Sequence, residues 1–379
     1  MLITVKFYFD TAREGSNVNQ INSRKFIFGI LSIVLLLIVS ACTQNSASPS
    51  ATSGPSAQAN NGTPSAGPPS STDSGFLGVV DKQPVPSLKG KRIGVAVIGT
   101  DHNWDRQAYQ GQIDRIKELG GTPIAVDGER NDQKHISDIE NLITQKPDAI
   151  IKQLGDTKVS APVLKKVHDA NIPLFTVDHP SEYSITNHMS DNYLIGEALA
   201  RRMFEDIGGE GKIAVFNGFY GVRVVAIRYD MMKYVAKDYP KIEFIEPELQ
   251  DVIPGTIEDA RKKVQDLLVK YPKKGQLSAI WAGWDIPSIG AAQAVDAAGR
   301  KDIKVYGVDG DPAAIDMIAD PGSSFAADMA QQPYLIGQAA VDTVARYLAG
   351  QKVPKSVYVD PILVTKENAE EAKQILFKK

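Results

Sequence analysis

The chain has 379 residues, with 42 Lys and Arg set against 45 Asp and Glu, a net charge of −3 and a pI near 6.0. That balance excludes a general nucleic-acid binder, which needs a strongly basic face. The single cysteine excludes internal disulfides, so packing alone must hold the folded part together.

The first elements in chain order concern export. Arg24-Lys25 precede a 14-residue, almost wholly apolar run, Phe26 to Val39, and Val39-Ser40-Ala41-Cys42 closes it. Two positive charges, a short apolar segment and small residues before a cut site make an export signal. A cysteine directly after the cut makes it a bacterial lipoprotein signal, with Cys42 as the lipidated residue. The run is too short to cross a hydrocarbon core about 30 Å thick. Residues 1–41 are therefore set apart as a signal region, although Asp10 and Glu14 are unusual ahead of one. Residues 43–75 hold one charge, Asp73, and no aromatic. Such a composition cannot bury enough apolar surface to order itself. The expectation is a lipidated cysteine and flexible linker over 42–88, in which residues 43–75 alone give a typical reach of roughly 30–35 Å, a glycosylated stalk being the alternative. The protein is expected to sit on the outer face of the cytoplasmic membrane, or in the periplasm if an outer membrane is present.

From Lys89 onward, short β-branched runs alternate with amphipathic stretches. Strands are predicted at Arg92–Ile98, Thr122–Val126, Ala149–Gln153, Leu174–Val177, Lys212–Phe216, Ala279–Ala282, Lys304–Val308 and Phe325–Met329. Ile113, Ile116 and Leu119 mark one helical face, and Ile136, Ile139 and Ile143 another. Gly120-Gly121 and Lys146-Pro147 supply their stops. Strand-helix alternation with continuous apolar strands means parallel sheets covered on both faces. The length predicts two doubly wound lobes rather than one sheet.

Ligands in such sheets bind beyond the carboxyl ends of the strands. The loops there read Gly99-Thr100-Asp101-His102-Asn103-Trp104-Asp105, Asp178-His179-Pro180, Asn217-Gly218-Phe219-Tyr220-Gly221, Gly283-Trp284-Asp285 and Asp309-Gly310-Asp311-Pro312. Each aspartate alone reads more often as a helix N-cap than as a ligand contact. Together, five loops of carboxylates, imidazoles, amides and aromatics predict a polar cleft with aromatic walls, suited to a small polyhydroxylated ligand.

These residues, with Asp148-Ala149-Ile150-Ile151, Asn171-Ile172-Pro173-Leu174, Ser190-Asp191-Asn192, Gly307-Val308-Asp309-Gly310 and Ala330-Gln331-Gln332-Pro333, resemble the type I periplasmic binding proteins, in particular the ribose-binding branch of ABC sugar importers. The resemblance spans residues 90–365 and implies a jaw of two lobes joined by three crossings, near Ser190-Asp191, Gln331-Gln332 and Asp360–Leu363. It places 89–190 with 332–362 in one lobe and 191–331 with 363–379 in the other. It further implies ligand-binding roles for His102, Trp104, Asp105, Asp178, His179, Arg228, Trp284, Asp285, Asp309 and Gln331. A membrane permease is the implied partner and the chain is expected to be monomeric.

Two departures from the ribose pattern bear on the ligand. His179 stands where an arginine is usual and Asp105 is an added acid, so the pocket is expected to be more acidic than a ribose site. That keeps polyols, amino sugars and other cationic molecules open beside neutral sugars. A protein that presents a sensed ligand to a membrane receptor would use the same cleft and also stays open. No G-x-S-x-G, P-loop, G-x-G-x-x-G or H-E-x-x-H pattern occurs, so no enzyme activity, catalytic residue or cofactor is expected. No short-spaced histidine pair suggests a metal.

Overall fold

The computed structural model describes residues 84–377. The signal region, Cys42 and nearly all of the expected linker lie outside the described residues. Among the described residues, no helix is long and apolar enough to cross a membrane.

Two six-stranded sheets organise the molecule. The first contains β1 (Arg92–Val97), β2 (Thr122–Asp127), β3 (Ala149–Gln153), β4 (Leu174–Val177), β5 (Thr186–Ser190) and β11 (Ser356–Val359), in the spatial order β11-β5-β4-β3-β1-β2. The second contains β6 (Glu210–Phe216), β7 (Lys241–Phe244), β8 (Ala279–Ala282), β9 (Lys304–Asp309), β10 (Phe325–Ala330) and β12 (Ile362–Thr365), in the order β12-β10-β9-β8-β6-β7. The orders match strand for strand. Every pairing is parallel except β10 with β12.

Both faces of each sheet are buried, as continuous apolar strands require. In the first lobe Ile93, Val95, Ile151, Phe175 and Val177 enter one core, while Ala96, Ile150 and Leu174 enter the opposite one. In the second lobe Ile213, Val215, Trp281 and Tyr306 pack on one side, against Ala214, Phe216, Ile280 and Val305 on the other. Trp281 is therefore a core residue.

The chain passes between the sheets three times. It leaves β5 through Asp191, the N-cap of α4 (Asn192–Asp206), which packs in the second lobe. It returns from β10 through Gln331-Gln332 into α9 (Pro333–Leu348), and crosses again at Asp360-Pro361 between β11 and β12. Helix α9 lies on α1 (Asn103–Glu118) at a glycine contact. A Cβ at Gly111 would come within 2.3 Å of the Tyr334 carbonyl, and one at Gly337 within 2.1 Å of that of Ala108. Helices this close need glycine at the crossing.

Two sequence boundaries change. The linker expected through residue 88 ends earlier, because Leu88 is fully buried and its N–H donates to the Leu119 carbonyl at 2.8 Å. Ile362, expected in the first lobe, pairs with Ala330 in the second sheet.

Candidate functional site

A cavity of about 370 Å³ opens between the two lobes at the carboxyl ends of their strands. Eight of the ten residues expected there line it: His102, Trp104, Asp105, Asp178, Arg228, Trp284, Asp309 and Gln331.

The second lobe supplies a prearranged charged set. Arg228, on α5 (Arg223–Val235), is buried and donates from Nε to Asn192 Oδ1 at 2.7 Å. Its Nη1 donates to the Gly283 carbonyl at 2.8 Å and to Asp309 Oδ1 at 3.2 Å. Gln331, on the second crossing, donates to the same carboxylate oxygen at 2.6 Å. Trp284 donates from Nε1 to Asp251, whose other oxygen accepts from the Gly218 N–H at 2.5 Å. The Trp284 ring meets Phe219 edge to face at 5.5 Å and His102 of the opposite lobe at 5.2 Å. The two lobes are in contact across the cleft.

The first lobe is less complete. Asp105 is buried and gripped by Arg130, and the Gln153 side chain donates to its backbone carbonyl at 2.9 Å. Asp178 is also buried, yet its Oδ1 has no hydrogen-bond partner. Both strand-end aspartates have unusual backbones, φ +48° at Asp178 and +124° at Asp309. A non-glycine residue in such a conformation costs about 1–3 kcal/mol and marks sites where geometry matters more than local comfort.

Burial and crowding set the protonation of this cleft. The Asp178 carboxyl is pushed up to about 7 by burial, with Arg228 pulling it down and Asp309 and Asp105 pushing it further up. Asp309 is likewise pushed up to about 7 by burial, with Arg228 offsetting and Asp285 reinforcing the rise. For His102, burial opposes the charge, but Asp285, Asp105 and Asp309 outweigh it and raise the imidazole to about 9. Asp328, fully buried behind this group, is raised well above the usual carboxylate range by burial and by Asp285 and Asp309. Two acids poised near neutrality, a protonated imidazole and two guanidinium groups thus offer both donors and acceptors to hydroxyls.

Residues 93–352 match the family model of the periplasmic binding protein domain. The chain belongs to the periplasmic binding protein family. Over 282 residues this periplasmic binding protein is 28% identical to the ribose import binding protein RbsB of Bacillus subtilis (strain 168), covering 72% of this chain and 88% of that one. A crystal structure of an ABC sugar transporter subunit from Rhodobacter sphaeroides 2.4.1 matches with TM-score 0.74 and 56% identity, covering 74% of this chain and 100% of that chain. An ABC transporter solute binding protein from Agrobacterium vitis, solved with bound allitol, matches with TM-score 0.75 and 51% identity, covering 76% and 100%. The resemblance read from the sequence therefore holds. The fold is the type I one, two parallel-sheet lobes, and the similar proteins are solute-binding proteins of ABC sugar transporters.

Two expected residues of this binding protein do not line the cavity. The His179 ring lies against buried Lys152, 2.8 Å from its Nζ, and 3.2 Å from the Gly155 carbonyl. Burial and the Lys152 charge push that imidazole well down. Asp285 lies beneath the cavity, where one oxygen accepts from the Asp311 N–H at 2.5 Å and the other faces His102 at 3.9 Å. Conversely, Arg130, Asp132 and Asp156 line the cavity without having been expected, and Phe219 lines it from one of the five loops that were. Arg130 follows β2 and Asp156 follows β3, both strand-end loops to which the same binding rule applies. Arg130 sets a positive charge against Asp105 and Asp101, while Asp132 and Asp156 add two carboxylates to the lining. A donor atom from each of His102, Asp285 and Asp309 comes within 4.8 Å of the other two.

Proposed function

We propose that this protein is a lipid-anchored, extracytoplasmic solute-binding protein that captures a small neutral polyol or sugar and delivers it to an ABC permease. The observation that carries the reading is the cavity itself. It brings an unpaired acid of one lobe, Asp178, opposite the paired Asp309 and Arg228 of the other, with Trp104, Phe219 and Trp284 as walls. Carboxylates accept from vicinal hydroxyls and a guanidinium donates to hydroxyl oxygens, while aromatic faces cover C–H edges. Charge-assisted bonds of this kind are about twice as strong as neutral ones and offset the stripping of water from the ligand. Arg130 offsets Asp105, so that this acid does not by itself call for a cationic ligand. The allitol held by the Agrobacterium vitis protein, 51% identical, is a ligand of that class. The anchor rests on the sequence around Cys42.

A thermal-shift panel of pentoses, hexoses, alditols, amino sugars and organic acids tests the ligand class. A true ligand at a hundredfold excess over its Kd stabilises the fold by about 2.7 kcal/mol, a rise of roughly 2–4 °C for a chain this long. A response confined to organic acids, or to amines alone, rejects the reading. Palmitate labelling that survives Cys42→Ala rejects the anchor.

A further inference from the structure

We propose that the closed cleft also holds a divalent cation, bound by His102 of one lobe and by Asp285 and Asp309 of the other. These residues are far apart in sequence, so no short-spaced motif announces them; the fold assembles the set. His102 Nε2 and Asp285 Oδ1 face each other at 3.9 Å across the lobe boundary, and neither has a hydrogen-bond partner. Asp285 is fully buried, and the Asp311 N–H holds its Oδ2, which fixes Oδ1 toward His102. On Asp309, Arg228 and Gln331 both use Oδ1, leaving Oδ2 for a further bond.

A second layer supports the imidazole. His102 Nδ1 lies 3.7 Å from the Asp105 carboxylate, which Arg130 in turn grips. A carboxylate behind the non-ligating nitrogen is the usual means of orienting a metal-bound histidine. Once the ion displaces the proton that His102 otherwise carries, one imidazole nitrogen and two carboxylate oxygens suit Mn²⁺ or Zn²⁺ better than Ca²⁺, which takes oxygen ligands alone. Metal–donor bonds of about 2.0–2.2 Å place tetrahedral donors about 3.4 Å apart. The 3.9 Å gap, within a set whose donors lie up to 4.8 Å apart, therefore asks the donors to draw inward as the ion binds. Because the donors come from both lobes, the cation ties the jaw shut. His102 and Asp309 also line the cavity, so one ligand hydroxyl completes a tetrahedral set; this last part rests on the proposed polyol function.

The test titrates the full-length protein with Mn²⁺, followed by loss of the free-ion paramagnetic resonance signal, and with Zn²⁺ by calorimetry. One ion per chain is expected, with affinity at least tenfold lower in His102→Gln and in Asp285→Asn. His168→Gln, at an exposed helical position away from the cleft, should bind as the parent does. Absence of binding, or binding indifferent to both cleft substitutions, overturns the site. Should the variants fail to fold, anomalous scattering from Mn²⁺-soaked crystals of the unaltered protein decides it: a peak bonded to His102 Nε2 supports the site and none there overturns it. The ligand panel repeated in EDTA separates the two ideas. Polyol binding with no cation binding removes the metal alone, whereas cation binding with no polyol response removes the polyol reading alone.

Discussion

The two lobes repeat one strand order but arm their sides of the cleft differently. In the second lobe Asp309 is already satisfied by Arg228 and Gln331, and Trp284 by Asp251. In the first, Asp105 is satisfied by Arg130, but Asp178 is buried with an oxygen lacking any partner. Although Asp285 behind it keeps an oxygen without a partner, the paired Asp309, Arg228 and Gln331 set loses little freedom when ligand arrives, so it is suited to dock first. An unsatisfied buried acid costs stability until a ligand hydroxyl reaches it. The second lobe is thus built to hold the ligand, and the first to gain by closing on it. Closure driven by ligand contacts from both sides is how a hinge couples occupancy to a partner.

The largest effects should come from dismantling the prearranged side. Arg228→Ala leaves Asp309 buried without its guanidinium, and Asp309→Ala removes the acceptor for both Arg228 and Gln331. A charge-assisted hydrogen bond is worth about 1.5–3 kcal/mol, or roughly tenfold to a hundredfold in affinity. Each substitution should weaken binding of a confirmed ligand by at least about tenfold on that scale. Titration calorimetry reads this. If both variants bind as tightly as the parent, the asymmetry between the lobes has no functional meaning.

Asp178→Asn sharpens the comparison because affinity and stability should move in opposite directions. The folded-state carboxyl is raised from 3.8 to about 7, chiefly by burial. A group raised on folding contributes stability that is fully present below its unfolded pKa and is lost as pH rises through the folded one. The loss for Asp178 therefore accumulates between about pH 4 and pH 7. At 1.36 kcal/mol per unit it is on the order of 4 kcal/mol. Asparagine removes that loss. In the absence of ligand the variant should melt near the parent at pH 4 and above it at pH 7.5, while binding ligand more weakly at both. Parallel melting curves across that range would mean that Asp178 is not a strained acid waiting for a partner.

A smaller effect is expected at Arg130, whose guanidinium is partly exposed and so easily rehydrated. Arg130→Met should weaken neutral ligands a few-fold through loss of the Asp105 clamp, and shift preference toward amines by leaving that acid uncompensated. Competition between an alditol and its amino analogue measures the shift. An unchanged ratio would remove Arg130 from the cleft's charge balance.

The two lobes are legible in the sequence to the same extent, four strands of six in each. All eight strands expected from apolar runs form, within two residues at either end. The four not expected, β5, β7, β11 and β12, are short or polar. In β5, Thr-Asn-His-Met-Ser is buried because its larger polar side chains bond inward, Asn187 with Thr176 and His188 with Thr343. Hydropathy cannot foresee that, since partners supplied by the fold decide whether such residues can be buried. Strand β7 sits at a sheet edge, with only intermediate or exposed residues. In the site, strand-end loops pointed to most of the cavity, but not to which residue of an adjacent pair would face it. At Asp178-His179 and at Trp284-Asp285 one side chain reaches the cavity and its neighbour turns behind it.

His179 gives the smallest predicted effect and the sharpest check of that geometry. Its ring is buried against Lys152 and the Gly155 carbonyl rather than the ligand space, and burial together with the Lys152 charge keeps it neutral. His179→Gln should therefore change ligand affinity less than about twofold, since no charge-assisted bond to the ligand is lost. Its cost should appear as a lower melting temperature, because the Lys152 amine loses its ring neighbour in a fully buried position. A Kd raised tenfold with an unchanged melting temperature would place the ring in the cleft beside Asp178, and the first lobe would then meet its ligand with an adjacent acid and imidazole instead of one unsatisfied carboxylate.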